Sequence, residues 1–131
     1  MGITEIKENI LELSDLFREH TPIETYRLNG HLVHVKRDDL FGVQPAPPLA
    51  KMRGALVLLQ KLKSQGIPHV GVFDTRVSMA GQGIAAISHV LKLPCTVAFP
   101  LLKGCSTEEQ KQALLLGADL LPLKGGRTSV L

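Results

Sequence analysis

The sequence predicts an α/β fold in which helices cover a parallel sheet, and three observations predict it. Over residues 49–123 the periodicity alternates in the order helix, strand, helix, strand, helix, strand. The strand-like runs at 69–73, 95–99 and 118–123 are short and nearly continuously apolar, as strands with both faces covered should be. Gly66, Pro68, Pro94, Pro100 and Gly117 separate these runs from the helical stretches. Such units close by right-handed crossovers.

Ahead of these units, residues 4–19 read as an amphipathic helix. Ile6, Ile10, Leu13, Leu16 and Phe17 recur at three- and four-residue spacing, with Glu5, Glu8, Glu12 and Glu19 mostly elsewhere. Thr21-Pro22 ends it, because the residue before proline resists helical geometry. Residues 24–28, the turn pair Asn29-Gly30 and the run from Leu32 to Val35 spell a hairpin. His31 and His34 fall on opposite faces of an extended strand, and no Cys, His, Asp or Glu cluster has ligand spacing, so no metal is expected. Lys36-Arg37-Asp38-Asp39 reads as a solvated strand end, with Asp38 and Asp39 anchoring the next loop through backbone hydrogen bonds. Tyr26 reads as structural.

Proline-rich residues 43–48 form a loop that feeds a helix over about 49–64, with Leu49, Met52, Leu56, Leu59 and Leu62 on its apolar face. Lys51 falls in the first turn, where the helix dipole disfavours a cation; it either faces solvent or is placed for chemistry. Residues 69–91 are the organising stretch: a strand, a small-residue turn with Ser78, Gly81 and Gly83, then a helix. Exposed amides at such a helix start suit an anion or carboxylate. Asp74 caps or orients the turn, His89 lies at a core edge, and Cys95 is a buried thiol. Ser106 with Glu109 forms a capping box for a helix that Gly117 ends. Gly125-Gly126 with Arg127 superficially suits an anion, although its place after the third strand does not.

The chain has 131 residues, enough for one modest domain, and a formal charge of +3 with 21% charged and 44% apolar residues. There is no dense basic tract, no tryptophan and one tyrosine, which argues against nucleic-acid binding. No apolar run has membrane-spanning length and the N-terminal stretch lacks a signal core, so a cytoplasmic protein without a membrane role is expected. Gly81-x-Gly83 is only a fragment of a dinucleotide fingerprint.

Several motifs resemble one family. Thr21-Pro22-Ile23-Glu24 resembles an opening "TPLE", and Val35-Lys36-Arg37-Asp38-Asp39-Leu40-Phe41-Gly42 closely resembles "KRDDLFG". Lys51 with Arg53 resembles a lysine-bearing helix start, Ser78 with Gly81-Gln82-Gly83 a cofactor-side loop, and Leu116-Gly117-Ala118-Asp119 an "LGA-D/E" step. Together they are similar to the tryptophan synthase β-like, fold type II pyridoxal-phosphate enzymes, nearest the 1-aminocyclopropane-1-carboxylate deaminase and D-cysteine desulfhydrase branch. The resemblance implies a three-layer parallel-sheet fold, here apparently truncated. Residues 1–48 would belong to the larger cofactor domain, and 49–131 to a parallel segment that includes the small domain and is incomplete at its end.

The resemblance also implies function. Pyridoxal 5'-phosphate would be held as a Schiff base on Lys51, and a small amino acid would be deaminated or lose sulfide. Lys51 and Ser78 would be catalytic, with Lys51 and Met79 at the cofactor. Ser78, Ala80, Gly81 and Gln82 would bind substrate, and a full-length enzyme would be a homodimer. Met79 stands where the family has an asparagine, and Pro47-Pro48-Leu49-Ala50 where it has "G-G-N-K". The family's phosphate-cradling loop lies beyond these motifs. The alternative is an inactive remnant or partner-binding fragment of such an enzyme.

Overall fold

The structure is a computed structural model that describes residues 12–75, 78–100 and 107–124. It contains an antiparallel hairpin and a three-stranded parallel sheet with helices packed against it. Strands β1 (Ile23–Leu28) and β2 (His31–Lys36) form the hairpin, with Ile23 opposite Lys36 and Leu28 opposite His31. Asn29 and Gly30 both have positive φ, 48° and 81°, which the tight turn between right-twisted strands demands. Ile23, Leu28 and Leu32 are exposed on this hairpin.

Helix α1 (Met52–Ser64) starts three residues later than its apolar spacing suggests. Residues 49–51 instead make single turns: Leu49 N–H donates to the Pro47 carbonyl at 2.8 Å and Met52 N–H to the Leu49 carbonyl at 3.0 Å. Lys51 is therefore the residue flanking the helix, not a member of its first turn. Gly66, at φ 74°, ends the helix, and Lys61 and Lys63 sit at the favourable negative end of its dipole.

Strands β3 (Val70–Phe73), β4 (Cys95–Pro100) and β5 (Asp119–Leu123) pair in that order, all parallel. Helix α2 (Ala80–Leu91) connects β3 to β4, and α3 (Glu108–Leu115) lies between β4 and β5. Helix α2 is central, packing on α1, α3, β3 and β4. Its Ala85, Ala86 and Ile87 are buried with Val97, Ala113 and Leu116. Small residues at 85 and 86 let the neighbouring elements approach, and Ile87, fully buried, fills the remaining space. Ile87→Val should lower unfolding free energy by about 0.5–1.5 kcal/mol in urea titration, because it removes one buried methylene.

Two sequence expectations are corrected. The described end of the expected helix over 4–19 is a single 3-10 turn, Leu13–Asp15. Phe17 instead bridges Gly42, with Arg18 N–H donating to the Phe41 carbonyl at 2.9 Å and Val43 N–H to the Leu16 carbonyl at 2.7 Å. Backbone pairing across the fold, with Leu16 and Phe17 buried, wins over helical spacing there. Residues 4–11 lie outside the described residues. The capping box of α3 is Thr107 with Gln110 rather than Ser106 with Glu109. Ser106, Cys105 and the Gly125-Gly126 stretch also lie outside. Cys95 is buried as expected, and burial pushes its thiol pKa up.

Candidate active site

The charged motif after β2 is a knot of side chains at the base of the hairpin. Asp38 accepts the Thr21 hydroxyl at 2.6 Å and Arg53 Nη2 at 3.0 Å, with Lys36 Nζ at 3.5 Å. Arg53 Nη2 also donates to Thr21 Oγ1 at 3.0 Å, and its guanidinium lies 4.1 Å over the Phe41 ring. Phe41 stacks on Phe17 at 4.8 Å between centroids. Beside it, Arg37 bonds both Glu24 oxygens, at 2.9 and 2.8 Å, and both Asp39 oxygens, at 2.9 and 2.8 Å. Asp38 and Asp39 thus hold mainly side chains, which corrects their reading as anchors of the loop backbone, while Lys36 and Asp39 stay exposed as a solvated strand end does. Tyr26 donates to Glu24, and this hydroxyl, followed by Arg37, lowers the Glu24 pKa.

The Arg53 guanidinium and then the Thr21 hydroxyl hold the Asp38 carboxyl down to about 2, against its ordinary 3.8. A carboxyl depressed on folding adds stability above its unfolded pKa and loses it as pH falls through the folded one. Thermal midpoints should therefore fall between about pH 4 and pH 2, and Asp38→Asn should flatten that part of the profile.

The start of α1 also meets the start of α2. Met52 packs its sulfur beside Gly83, where an added Cβ would overlap it, and the Pro47 ring would lie 3.0 Å from that Cβ. Gln82 is buried and its Nε2 donates to the Pro45 carbonyl at 2.5 Å. Gly42 leaves no room for a side chain, because a Cβ there would overlap the Pro47 carbonyl oxygen. These contacts bring the loop before α1 onto the first turn of α2. Lys51 emerges at this junction, exposed, its ammonium in no ion pair or hydrogen bond among the described residues.

At the start of α2, Ser78 Oγ accepts the Ala80 N–H at 3.1 Å, and Met79 is the N-cap residue. Asp74, 7% exposed, accepts the Thr75 N–H at 2.8 Å and the Gly81 N–H at 2.5 Å. A Cβ on Gly81 would stand 2.7 Å from Val97 Cγ1 and 2.8 Å from Asp74 Oδ2, so only glycine admits this approach. Ser78, Gly81, Gln82 and Asp74 line one cleft at the carboxyl ends of β3 and β4, together with Phe99, Glu109 and Gln110. Lys51, Met79 and Ala80 do not line it. Glu109 and Gln110 escaped the sequence reading, because their only local signal is the start of α3. Gln110 Nε2 is buried without a partner.

The fold and this helix-start cleft at the carboxyl ends of parallel strands define a parallel α/β unit with its candidate ligand site where such folds place one. No protein-family model matches the chain. In sequence it is 33% identical over 117 residues to the glycyl-dTMP PLP-dependent decarboxylase of Pseudomonas phage M6, covering 86% of this chain and 41% of that protein. In structure it is similar to a hydrogen sulfide-producing enzyme of Fusobacterium nucleatum, with a TM-score of 0.65, 19% identity and coverage of 89% of this chain and 38% of that one. O-ureido-L-serine synthase aligns with a TM-score of 0.61 at 19% identity, over 89% of this chain and 36% of that one. The chain has the tryptophan synthase β-like, fold type II architecture, and in sequence it is related to a pyridoxal-phosphate-dependent decarboxylase. It spans less than half the length of these relatives, 41% of the phage protein.

The residues present fit that cofactor in one respect and leave another open. An exposed, unpaired primary amine at Lys51 can condense with an aldehyde. The Met79 thioether is a poor hydrogen-bond partner for a ring hydroxyl. Among the described residues no helix is long and apolar enough to cross a membrane, and no group of His, Cys, Asp and Glu could hold a metal.

Proposed function

We propose that this chain is the lysine-bearing part of a pyridoxal-phosphate enzyme acting on a small α-amino carboxylate, with Lys51 holding the cofactor. The observation that carries the reading is the free Lys51 amine at the junction where the α1 start is packed onto the α2 start. When bound, the cofactor supplies an electron sink for negative charge on the carbon beside the substrate nitrogen. Lys51 Nζ would accept and return the proton at that carbon. Ser78 Oγ and the amides of Ala80, Gly81 and Gln82 hold the substrate carboxylate at the positive end of the α2 dipole. Met79 would stand beside the cofactor with a thioether that offers little hydrogen bonding. In the family's manner the complete enzyme works as a homodimer.

The resemblance of the charged motif to the deaminase and desulfhydrase branch supports deamination or sulfide elimination from a small amino acid. A second reading, loss of carbon dioxide from a glycyl group carried on a nucleotide, is favoured by the 33% identity to the phage decarboxylase. The carboxylate anchor at α2 serves both. The test is to add pyridoxal phosphate to the full chain, follow the visible absorbance of lysine-bound cofactor, reduce with borohydride and map the modified peptide. Label on residue 51 is expected. Label elsewhere, or none, overturns the reading and favours a partner-binding remnant. Spectral changes on adding D-cysteine, 1-aminocyclopropane-1-carboxylate or glycine then separate the substrate classes.

A further inference from the structure

We infer that Arg53, held by Asp38 and Thr21, is a positioning residue that fixes where the Lys51 amine stands; the functional consequence rests on the reading of Lys51 as the cofactor amine. Beyond the backbone turns over residues 49–53, helix α1 has no side-chain device of its own for fixing its start. Lys51 makes no side-chain cap, the first turn holds no acidic residue, and Gly54, with nothing within 4 Å of its Cβ position, loosens that turn. Fixation must come from tertiary contacts, and successive helical residues supply them about 100° apart. Met52 seats in the space left by Gly83. Arg53 reaches different partners, Thr21 Oγ1 and Asp38 Oδ1 at 3.0 Å each, with its Cζ 4.1 Å from the centre of the Phe41 ring. Lys51, next in the chain to the first of these anchors, is left exposed.

The Arg53 anchor is stiff because its partners are themselves tied. Thr21 precedes β1 and Asp38 follows β2, so the two close the base of the hairpin, and Arg37 N–H donates to the Pro22 carbonyl at 2.9 Å. Lys36 Nζ donates to Thr21 Oγ1 at 2.7 Å. The Phe41 ring is buried against Phe17. Both bonds leave one nitrogen, Nη2, so what a lysine would lose here is the guanidinium's stacking on the Phe41 ring. The "KRDD" run and the Arg53 of the lysine-bearing helix start are thus two halves of one clamp, and the clamp acts on the helix start that Lys51 flanks.

The test compares the full chain with Arg53→Lys, Asp38→Asn and the milder Thr21→Val, with Ile87→Val as a control for general destabilisation. The first readout needs no cofactor: hydrogen exchange at the Ala55 amide, which donates to the Lys51 carbonyl at 3.1 Å. Its protection should fall roughly tenfold in Arg53→Lys and Asp38→Asn while the middle of α1 stays protected, as expected of a locally opened turn. The second is borohydride-trapped labelling by pyridoxal phosphate at Lys51 relative to Lys61 and Lys63, which should fall between about tenfold and a hundredfold in the same variants. Ile87→Val should change neither. Unchanged Ala55 protection in both clamp variants overturns the inference. Reduced protection with label at Lys51 unaltered overturns its functional part. Reduced protection with no label at Lys51 in the unsubstituted chain overturns the cofactor reading and leaves the clamp standing.

Discussion

Lys51→Ala should abolish covalent retention of pyridoxal phosphate and, in an enzyme completed to the length of its relatives, lower turnover on the order of 10²–10⁴-fold through loss of the proton carrier. The fold should survive. The Lys51 side chain is exposed and has no partner among the described residues, so its removal should change unfolding free energy by no more than about 0.5 kcal/mol. That contrast between lost chemistry and kept stability is the signature of a reacting side chain. A clear drop in the thermal midpoint would show that Lys51 holds structure instead. Retained cofactor absorbance would move the attachment point to another amine. Lys36 is the nearest rival in the charged motif, but its Nζ is already bonded to Thr21 and close to Asp38.

The parallel units were legible because their signals are local. Branched residues at 70, 72 and 97, the glycines after α1 and α3, and Asn29-Gly30 each act over a few residues of chain. What failed were readings that distant partners decide. Phe17 follows helical spacing, yet its bridge to Gly42, 25 residues on, sets its conformation. Ser106-Thr107 and Glu109-Gln110 offer two overlapping capping frames, and spacing alone cannot choose between them. Asp38 looks like half of a solvated charge run because Arg53, 15 residues away, becomes visible as its partner only when α1 folds back. The same holds in the candidate site. Lys51 and Ser78 could be named from motifs. That Asp74 would already occupy the Gly81 amide, and that Gln110 would bring an unpartnered amide to the same cleft, depends on packing that no periodicity encodes.

Asp74→Ala should have two opposed effects. In the free protein Asp74 accepts the Thr75 and Gly81 amides from a position 7% exposed, so its removal takes that acceptor from both donors at the start of α2. Gly81 is buried and Thr75 exposed, so water can replace the acceptor of the Thr75 amide but not of the Gly81 amide. A buried amide left without an acceptor costs about 1–3 kcal/mol, and urea titration should show a loss of that order. In the ligand-bound protein the sign reverses. A substrate carboxylate drawn to the same helix start must compete with the Asp74 carboxylate for the Gly81 N–H and is repelled by its charge. Removing Asp74 frees that amide and the helix dipole behind it, so carboxylate binding should tighten roughly two- to fivefold. Asp74→Asn keeps one acceptor oxygen without the charge, and should lose less stability while gaining most of the affinity. Isothermal titration with glycine, run beside the stability measurement, separates the outcomes. Tighter binding in a less stable protein would mean that Asp74 guards the carboxylate site by filling it. Weaker binding would mean that Asp74 itself touches the ligand, through the ammonium end, and the carboxylate would then have to sit elsewhere than on α2.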